Sequence, residues 1–178
     1  MIVLRSDYLT VRTLQPEDKY MLANWLSDPV VLTYYEGRDN PFDIAKVEEK
    51  FYGHKNEHTP CMIEYGNKVI GYIQFYPLNN GDKKNYGYGE SEFIFGMDQF
   101  IGEAEYWNRG IGKHLVKSMA DYLIKQKQAS RVVMDPQTWN ARAINCYEKA
   151  GFKKARLLPK NEWHEGEYRD CWLMVYTA

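Results

Sequence analysis

The run Asn108-Arg109-Gly110-Ile111-Gly112-Lys113 leads straight into a helical pattern in which Ile111, Leu115, Met119 and Leu123 recur every fourth residue, with Val116, Ala120 and Ile124 beside them. That spacing marks an amphipathic helix over residues 110–126. Residues 92–98, just before the glycine-rich connection, read as a strand. Two glycines at a helix entry let the backbone come close to a ligand and leave first-turn amides pointing outward. Such amides, with the helix dipole, suit a phosphate or pyrophosphate. Arg109 and Lys113 add positive charge nearby. The pattern is neither the dinucleotide fingerprint nor the P-loop, and a tight loop into a helix accounts for it equally well.

The rest of the chain surrounds this passage with mixed elements. Residues 9–14 alternate apolar and polar, a first strand. Gln15-Pro16-Glu17-Asp18 opens a helix that Asp28-Pro29 stops. An apolar-aromatic stretch follows at 30–35, then a loop at 37–41 and a second helix over 44–52. Residues 61–65 and 69–76 flank Gly66-Asn67 as a hairpin. Residues 79–89, polar and glycine-rich, read as a loop. Beyond the central helix come a strand at 131–134, a helix at 140–150 ended by Gly151, and strands at 152–157 and 168–176. The order is a strand, two helices, three strands, a helix, a strand, a helix and two strands. It predicts a mixed sheet of the α/β (α+β) class rather than regular βαβ alternation. With 178 residues and no repeat or linker, one domain over 1–178 is expected.

Several classes are excluded. Lys and Arg number 23 against 24 Asp and Glu, a formal charge of −1, so a nucleic-acid binder working through a strong global positive field is not indicated. No apolar run reaches signal-peptide or membrane-span length, which makes a cytoplasmic chain without a membrane partner the default expectation. Cys61, Cys146 and Cys171 are odd in number and far apart, so reduced thiols are expected rather than a zinc knuckle or a disulfide frame. His54 and His58 are spaced four apart, but Lys55 stands where His-Glu-x-x-His needs its glutamate, and no metal is expected. Aromatics reach 15%, enough to line a groove or to fill a core.

The glycine turn resembles motif A of the GCN5-related N-acetyltransferases (GNAT), Gln/Arg-x-x-Gly-x-Gly/Ala at the head of a helix after a central strand; Trp107 replaces the usual Gln or Arg. About thirty residues on, the run Asn140-Ala141-Arg142-Ala143-Ile144-Asn145-Cys146-Tyr147-Glu148-Lys149-Ala150-Gly151-Phe152 resembles motif B. Two motifs in order are more specific than either alone. Nearly the whole chain is similar to the aminoglycoside 6'-N-acetyltransferases, most closely the acetyltransferase half of the bifunctional aminoglycoside-modifying enzymes. The similarity lies in the run from Phe95 through Gly96-Met97-Asp98-Gln99-Phe100-Ile101-Gly102 to Glu103, with Tyr106-Trp107 and Asp135-Pro136. It also lies in Trp25-Leu26-Ser27-Asp28, Tyr34-Tyr35-Glu36-Gly37-Arg38-Asp39, His164-Glu165-Gly166 and Asp170-Cys171. Siderophore-type hydroxylysine acetyltransferases share some of these runs.

The resemblance implies a GNAT fold, with a mixed, mostly antiparallel sheet splayed at the acetyl-CoA site and flanked by helices. It implies acetyl transfer from acetyl-CoA, without a metal, to the 6'-amine of an aminoglycoside and hence resistance. Another amine, of a siderophore hydroxylysine or a protein N-terminus, is the alternative acceptor. Asp98 is then the general base or the anchor of the reacting amine, its other reading being a loop cap. Tyr147, two turns after Asn140 and on the same face, is then the acid for the departing thiolate, or a core residue. The coenzyme would lie on Phe100, Ile101, Arg109 and the backbone of Gly110, Ile111, Gly112, Lys113 and His114. Asn140 would meet the pantetheine amides, or cap its helix. From the residues themselves, Glu90, Glu92, Asp98, Glu103 and Glu105 occur with no Lys or Arg between 90 and 105, and Asp135, Glu36 and Asp39 add acids elsewhere. A cleft lined with such acids suits a polycation, with Tyr34 and Tyr35 against a sugar ring; the plain alternative is that several of the acids are merely solvated. Substrate contacts are therefore expected at Tyr35, Glu36, Asp98 and Asp135. The chain is compatible with a monomer or a homodimer.

Overall fold

The computed structural model describes residues 1–53 and 57–178. The alternation at the start becomes β2 (Leu9–Thr13), with Leu9 and Val11 fully buried. It is preceded by β1 (Ile2–Ser6), folded back on it antiparallel at Asp7, whose φ is 53°. β1 carries no alternation of its own. β3 (Thr59–Tyr65) and β4 (Lys68–Pro77) form the expected hairpin. β5 (Ile94–Ile101) and β6 (Arg131–Met134) follow, then β7 (Lys153–His164) and β8 (Glu167–Tyr176). The eight strands form one sheet in the order β1-β2-β3-β4-β5-β6-β8-β7. β2 pairs with β3 and β6 with β8 antiparallel; β5 pairs with β6 in parallel.

Helices α1 (Asp18–Trp25), α2 (Pro29–Leu32) and α3 (Ile44–Val47, continued by a π-helical turn over Glu48–Tyr52) come early in the chain. Pro29 ends one helix and begins the next, because a ring without an N–H fits a first turn, and the Asp28 side chain caps Val30 at 2.9 Å. Residues 79–89, expected as a loop, contain α4 (Asn80–Tyr86), with the Asn79 side chain accepting from the Asp82 amide at 2.8 Å. Its sequence has no apolar stripe, so periodicity could not reveal it. α5 (Ile111–Lys127) and α6 (Ala141–Ala150) match expectation. Asn140 caps α6 by accepting from the Ala143 amide at 3.2 Å, and Gly151 closes it at φ 108°.

Two compact units divide the chain: residues 1–74, 99–109 and 164–166 make the first, and residues 75–98, 110–163 and 167–178 the second. The first is centred on Leu22, Trp25, Leu26, Phe42, Met62, Tyr72 and Phe100. The second packs Leu78, Ile94, Val133, Leu158, Cys171 and Leu173 together, and α5 buries Ile111, Leu115, Val116, Met119, Ala120 and Leu123. Within the second unit the feature that matters is where β5 and β6 part. Their pairing runs Ile94↔Arg131, Phe95↔Val132, Gly96↔Val133; β6 ends at Met134 while β5 runs on to Ile101.

Candidate active site

Asp98 stands on β5 two residues past the last β5–β6 pair, half-buried. Tyr76, on β4, donates its phenol to Asp98. Gly96 makes room for that ring, since a Cβ there would lie 2.6 Å from Tyr76 Cε2. Burial, then the charges of Asp98 and Asp135, push the Tyr76 phenol far up, so it stays a donor at every working pH.

Asp135 follows the end of β6 and is half-buried. Asn161 Nδ2 donates to its Oδ2 at 3.0 Å, and the Tyr86 phenol, delivered by α4, lies 3.5 Å from the same oxygen. Burial first, then the charge of Asp98, then that of Glu162, push Asp135 up to about 7, against the Asn161 hydrogen bond that lowers it. Glu162 also accepts from the Cys171 thiol at 3.8 Å. Asp98 and Asp135 thus act on one another electrostatically. Tyr76, Tyr86, Asn161 and Glu162 join them from three other elements, and sequence reading missed all four. Carboxylates that repel one another bind a cation in place of one another's protons, and a phenol or amide donor fixes where each oxygen points.

Three other acids of the 90–105 stretch have separate partners. Glu92 pairs with Arg131 at 2.8 Å, Glu105 with Lys68 at 2.7 Å, and Glu103 accepts from the Trp25 indole at 3.3 Å. Glu92, Glu103 and Glu105 are thus partnered apart from the group around Asp98 and Asp135.

At the head of α5, Gly110 adopts φ 78° and supplies no capping side chain, and a Cβ there would meet nothing within 4 Å. The amides of Ile111, Gly112 and Lys113 fall in the first turn, where no carbonyl four residues back is in position to accept them. The His114 amide donates to the Gly110 carbonyl at 3.1 Å. A Cβ on Gly112 would stand 3.4 Å from Cys146 Sγ, so the start of α5 lies against the middle of α6, beside Tyr147. Tyr147 is half-buried, its ring centroid 6.4 Å from that of Phe152. Asn140 spends its side-chain oxygen on the α6 cap.

The remaining expected residues belong to the first unit. Phe100 is buried under Tyr35, ring centroids 4.5 Å apart, and also meets Tyr72 and Trp25. The Ile101 carbonyl accepts from the Trp107 indole at 2.8 Å, so the tryptophan at the unusual motif position braces the end of β5. Arg109 is exposed, its guanidinium 5.0 Å from the Tyr106 ring centroid. Glu36 is exposed at φ 72°, accepting from Asn40 Nδ2 at 3.2 Å.

Cys61, Cys146 and Cys171 are free thiols, two of them buried. Among the described residues no group of three or more His, Cys, Asp or Glu is arranged to hold a metal ion, and no helix is long and apolar enough to cross a membrane. His54, one of the histidine pair, lies outside the described residues.

Residues 15–159 match the acetyltransferase (GNAT) domain family. The chain belongs to the GNAT acetyltransferases. Among the relatives of this GNAT enzyme, the aminoglycoside N(6')-acetyltransferase type 1 of Klebsiella pneumoniae is 30% identical over 156 residues, which are 84% of this chain and 76% of the relative. A kanamycin resistance protein of Rhizobium radiobacter is 37% identical over 61 residues, 34% of this chain and 56% of that protein. Among solved structures, AAC(6')-Ib in complex with ribostamycin and coenzyme A superposes with a TM-score of 0.77 at 25% identity, covering 96% of this chain and 94% of that one. The spermidine N-acetyltransferase of Vibrio cholerae, solved with CoA and spermine, shares the fold, with a TM-score of 0.76 at 18% identity over 97% of this chain and 96% of that one. The acyl donor of GNAT acetyltransferases is acetyl-CoA. The head of α5 fits such a donor: Gly110 puts no side chain at the turn, and the first-turn amides suit a diphosphate.

Proposed function

We propose that this GNAT enzyme acetylates the 6'-amine of aminoglycosides. The observation that carries the reading is the group of Asp98, Asp135 and Glu162 at the parting of β5 and β6, ringed by Tyr76, Tyr86 and Asn161. An aminoglycoside is a rigid polycation, and several fixed anions on one side of a site recognise such a molecule better than a single one does. The relatives that carry 6'-N-acetyltransferase names support the same acceptor. Acetylation removes a positive charge that RNA recognition uses, and resistance follows.

The acetyl-CoA thioester supplies the electrophilic carbonyl. An ammonium cannot attack it, so Asp98 accepts the amine's proton, directly or through water, and holds the nitrogen in place. A C–N bond forms as the C–S bond breaks; the Tyr147 hydroxyl gives its proton to the departing thiolate, and the nitrogen's second proton, shed to solvent as the amide forms, is balanced by reprotonation of Tyr147 from solvent. The diphosphate rests on the backbone from Gly110 to Lys113, closing at His114, with Arg109 beside it. Phe100, Ile101 and Asn140 line the pantetheine arm. Asp135 holds a second ammonium of the acceptor, and Tyr35 and Glu36 are further acceptor contacts.

The test is CoA release from the pure enzyme with acetyl-CoA and a kanamycin-class drug, compared with an aminoglycoside bearing a hydroxyl at the 6' position. Release with the 6'-amine alone supports the reading. No release with any drug that carries a free 6'-amine overturns it.

A further inference from the structure

Two runs that sequence comparison singles out at opposite ends of the chain, Tyr34 to Asp39 and His164 to Gly166, meet within the first unit through one residue pair. Arg38 donates three hydrogen bonds to the Glu165 carboxylate: its backbone amide at 3.1 Å, Nε at 2.6 Å and Nη2 at 2.8 Å, across 127 positions of sequence. The fork of the guanidinium on both carboxylate oxygens fixes direction as well as distance. Glu165 and Gly166, φ 48° and 91°, make the two-residue turn between β7 and β8, where positive φ at both positions is the usual hairpin geometry. On the other side Glu36 has φ 72° beside Gly37 at 104°, a left-handed value that a glutamate seldom adopts and that persists only where the surroundings hold it.

The loop is gripped at its other end by aromatic rings. Tyr35 lies 4.5 Å from Phe100, and Tyr34, exposed, stands edge-on to Trp107 at 5.7 Å. Glu36 stands between the two grips, its carboxylate oriented by Asn40 at 3.2 Å. An exposed ion pair adds little to global stability, and Arg38 remains 59% exposed. Bracing the fold as a whole is therefore a poor account of so much directed hydrogen bonding.

We infer that Arg38 and Glu165 form a positioning latch that sets the conformation of the Tyr34–Tyr35–Glu36 loop for binding the amine acceptor, and so tune acceptor specificity without touching the acetyl donor. The inference rests on the aminoglycoside reading above for the identity of the acceptor. The three bonds from Arg38 hold the Glu165 carboxyl down to about 2, so the latch is ionised throughout the working pH range.

Steady-state kinetics of Glu165→Gln, Arg38→Ala and the reversed pair Arg38→Glu/Glu165→Arg test it. Glu165→Gln is expected to raise the aminoglycoside KM about tenfold, since small displacements of a binding group have effects of that order. Its acetyl-CoA KM stays at the wild-type value, and its melting temperature moves little. The effect is the same at pH 6 and pH 9. The reversed pair recovers part of the loss. An aminoglycoside KM in Glu165→Gln indistinguishable from wild type, an equal rise in both KM values, or no recovery in the reversed pair overturns the latch. Failure of the aminoglycoside reading is distinguishable, because it appears in the wild-type enzyme as absence of CoA release.

Discussion

At the scale of the residue, Asp135 answers most directly to pH. Its carboxyl is pushed up to about 7 by burial, Asp98 and Glu162, against about 3.9 in an unfolded chain. Between those values the native state holds a proton that the unfolded state has released, so this group's contribution to stability falls as pH rises from about 4 through about 7. Asp135→Asn removes that dependence: its melting temperature is expected to drop less than that of wild type between pH 5 and pH 8. The ionised form is the one that attracts an ammonium, so kcat/KM for the acceptor should climb through about pH 7 in wild type and lose that limb in Asp135→Asn. Asp98→Asn behaves differently. It is expected to lower kcat by about a hundredfold or more, as removal of a positioned base does, while the acetyl-CoA KM changes little. Tyr147→Phe keeps the ring against Phe152 and removes only the hydroxyl, so kcat falls with both KM values nearly unchanged; a wild-type kcat would return Tyr147 to the core.

At the scale of the element, the head of α5 is where one glycine matters most. Gly110→Ala meets no steric obstacle, but an alanine at φ 78° costs about 1–2 kcal/mol. The strain relaxes by turning the first-turn amides, so the acetyl-CoA KM should rise while the aminoglycoside KM does not. Gly96→Ala acts on the opposite side. Its Cβ would strike the Tyr76 ring, an overpacking of about 1–3 kcal/mol, and displacing that phenol from Asp98 should lower kcat/KM for the acceptor. The elements that carry a repeat were legible: β2 through its alternation, α5 through Ile111, Leu115, Met119 and Leu123, and α6 through Asn140 and Gly151. α4 was not, because a short helix reading Asn-Gly-Asp-Lys-Lys-Asn-Tyr has no apolar stripe and sets only two good helix formers, Lys83 and Lys84, among Asn, Gly and Asp, and only its Asn79 cap and the Gly87 at its end mark it. β1 was not, because its burial comes from pairing with β2 rather than from an alternating face.

At the scale of the whole molecule, a net charge of −1 conceals the site. Among the acids of residues 90–105, Glu92 and Glu105 form ion pairs with Arg131 and Lys68, Glu103 accepts from Trp25, and Asp98 faces Tyr76 and Asp135, and no linear count separates them. Asp98 and Asp135 were legible because both belong to a recognisable passage, although β5 runs three residues past Asp98, where the sequence pattern ends the strand. Asn161, Glu162, Tyr76 and Tyr86 were not, since each reaches the site only through the way β7, β4 and α4 are laid beside it. The pairing of Arg38 with Glu165 is likewise invisible until the chain is folded. Catalysis as proposed requires a coenzyme held at the head of α5 with its sulfur delivered to Tyr147 and the acceptor amine at Asp98. A crystal structure of the enzyme with coenzyme A and kanamycin measures all three at once. The expected result is the diphosphate on the amides of Ile111, Gly112 and Lys113, the sulfur within reach of the Tyr147 hydroxyl and the 6'-amine on the Asp98 carboxylate. A coenzyme bound away from that turn, or a 6'-amine directed away from Asp98, would contradict it.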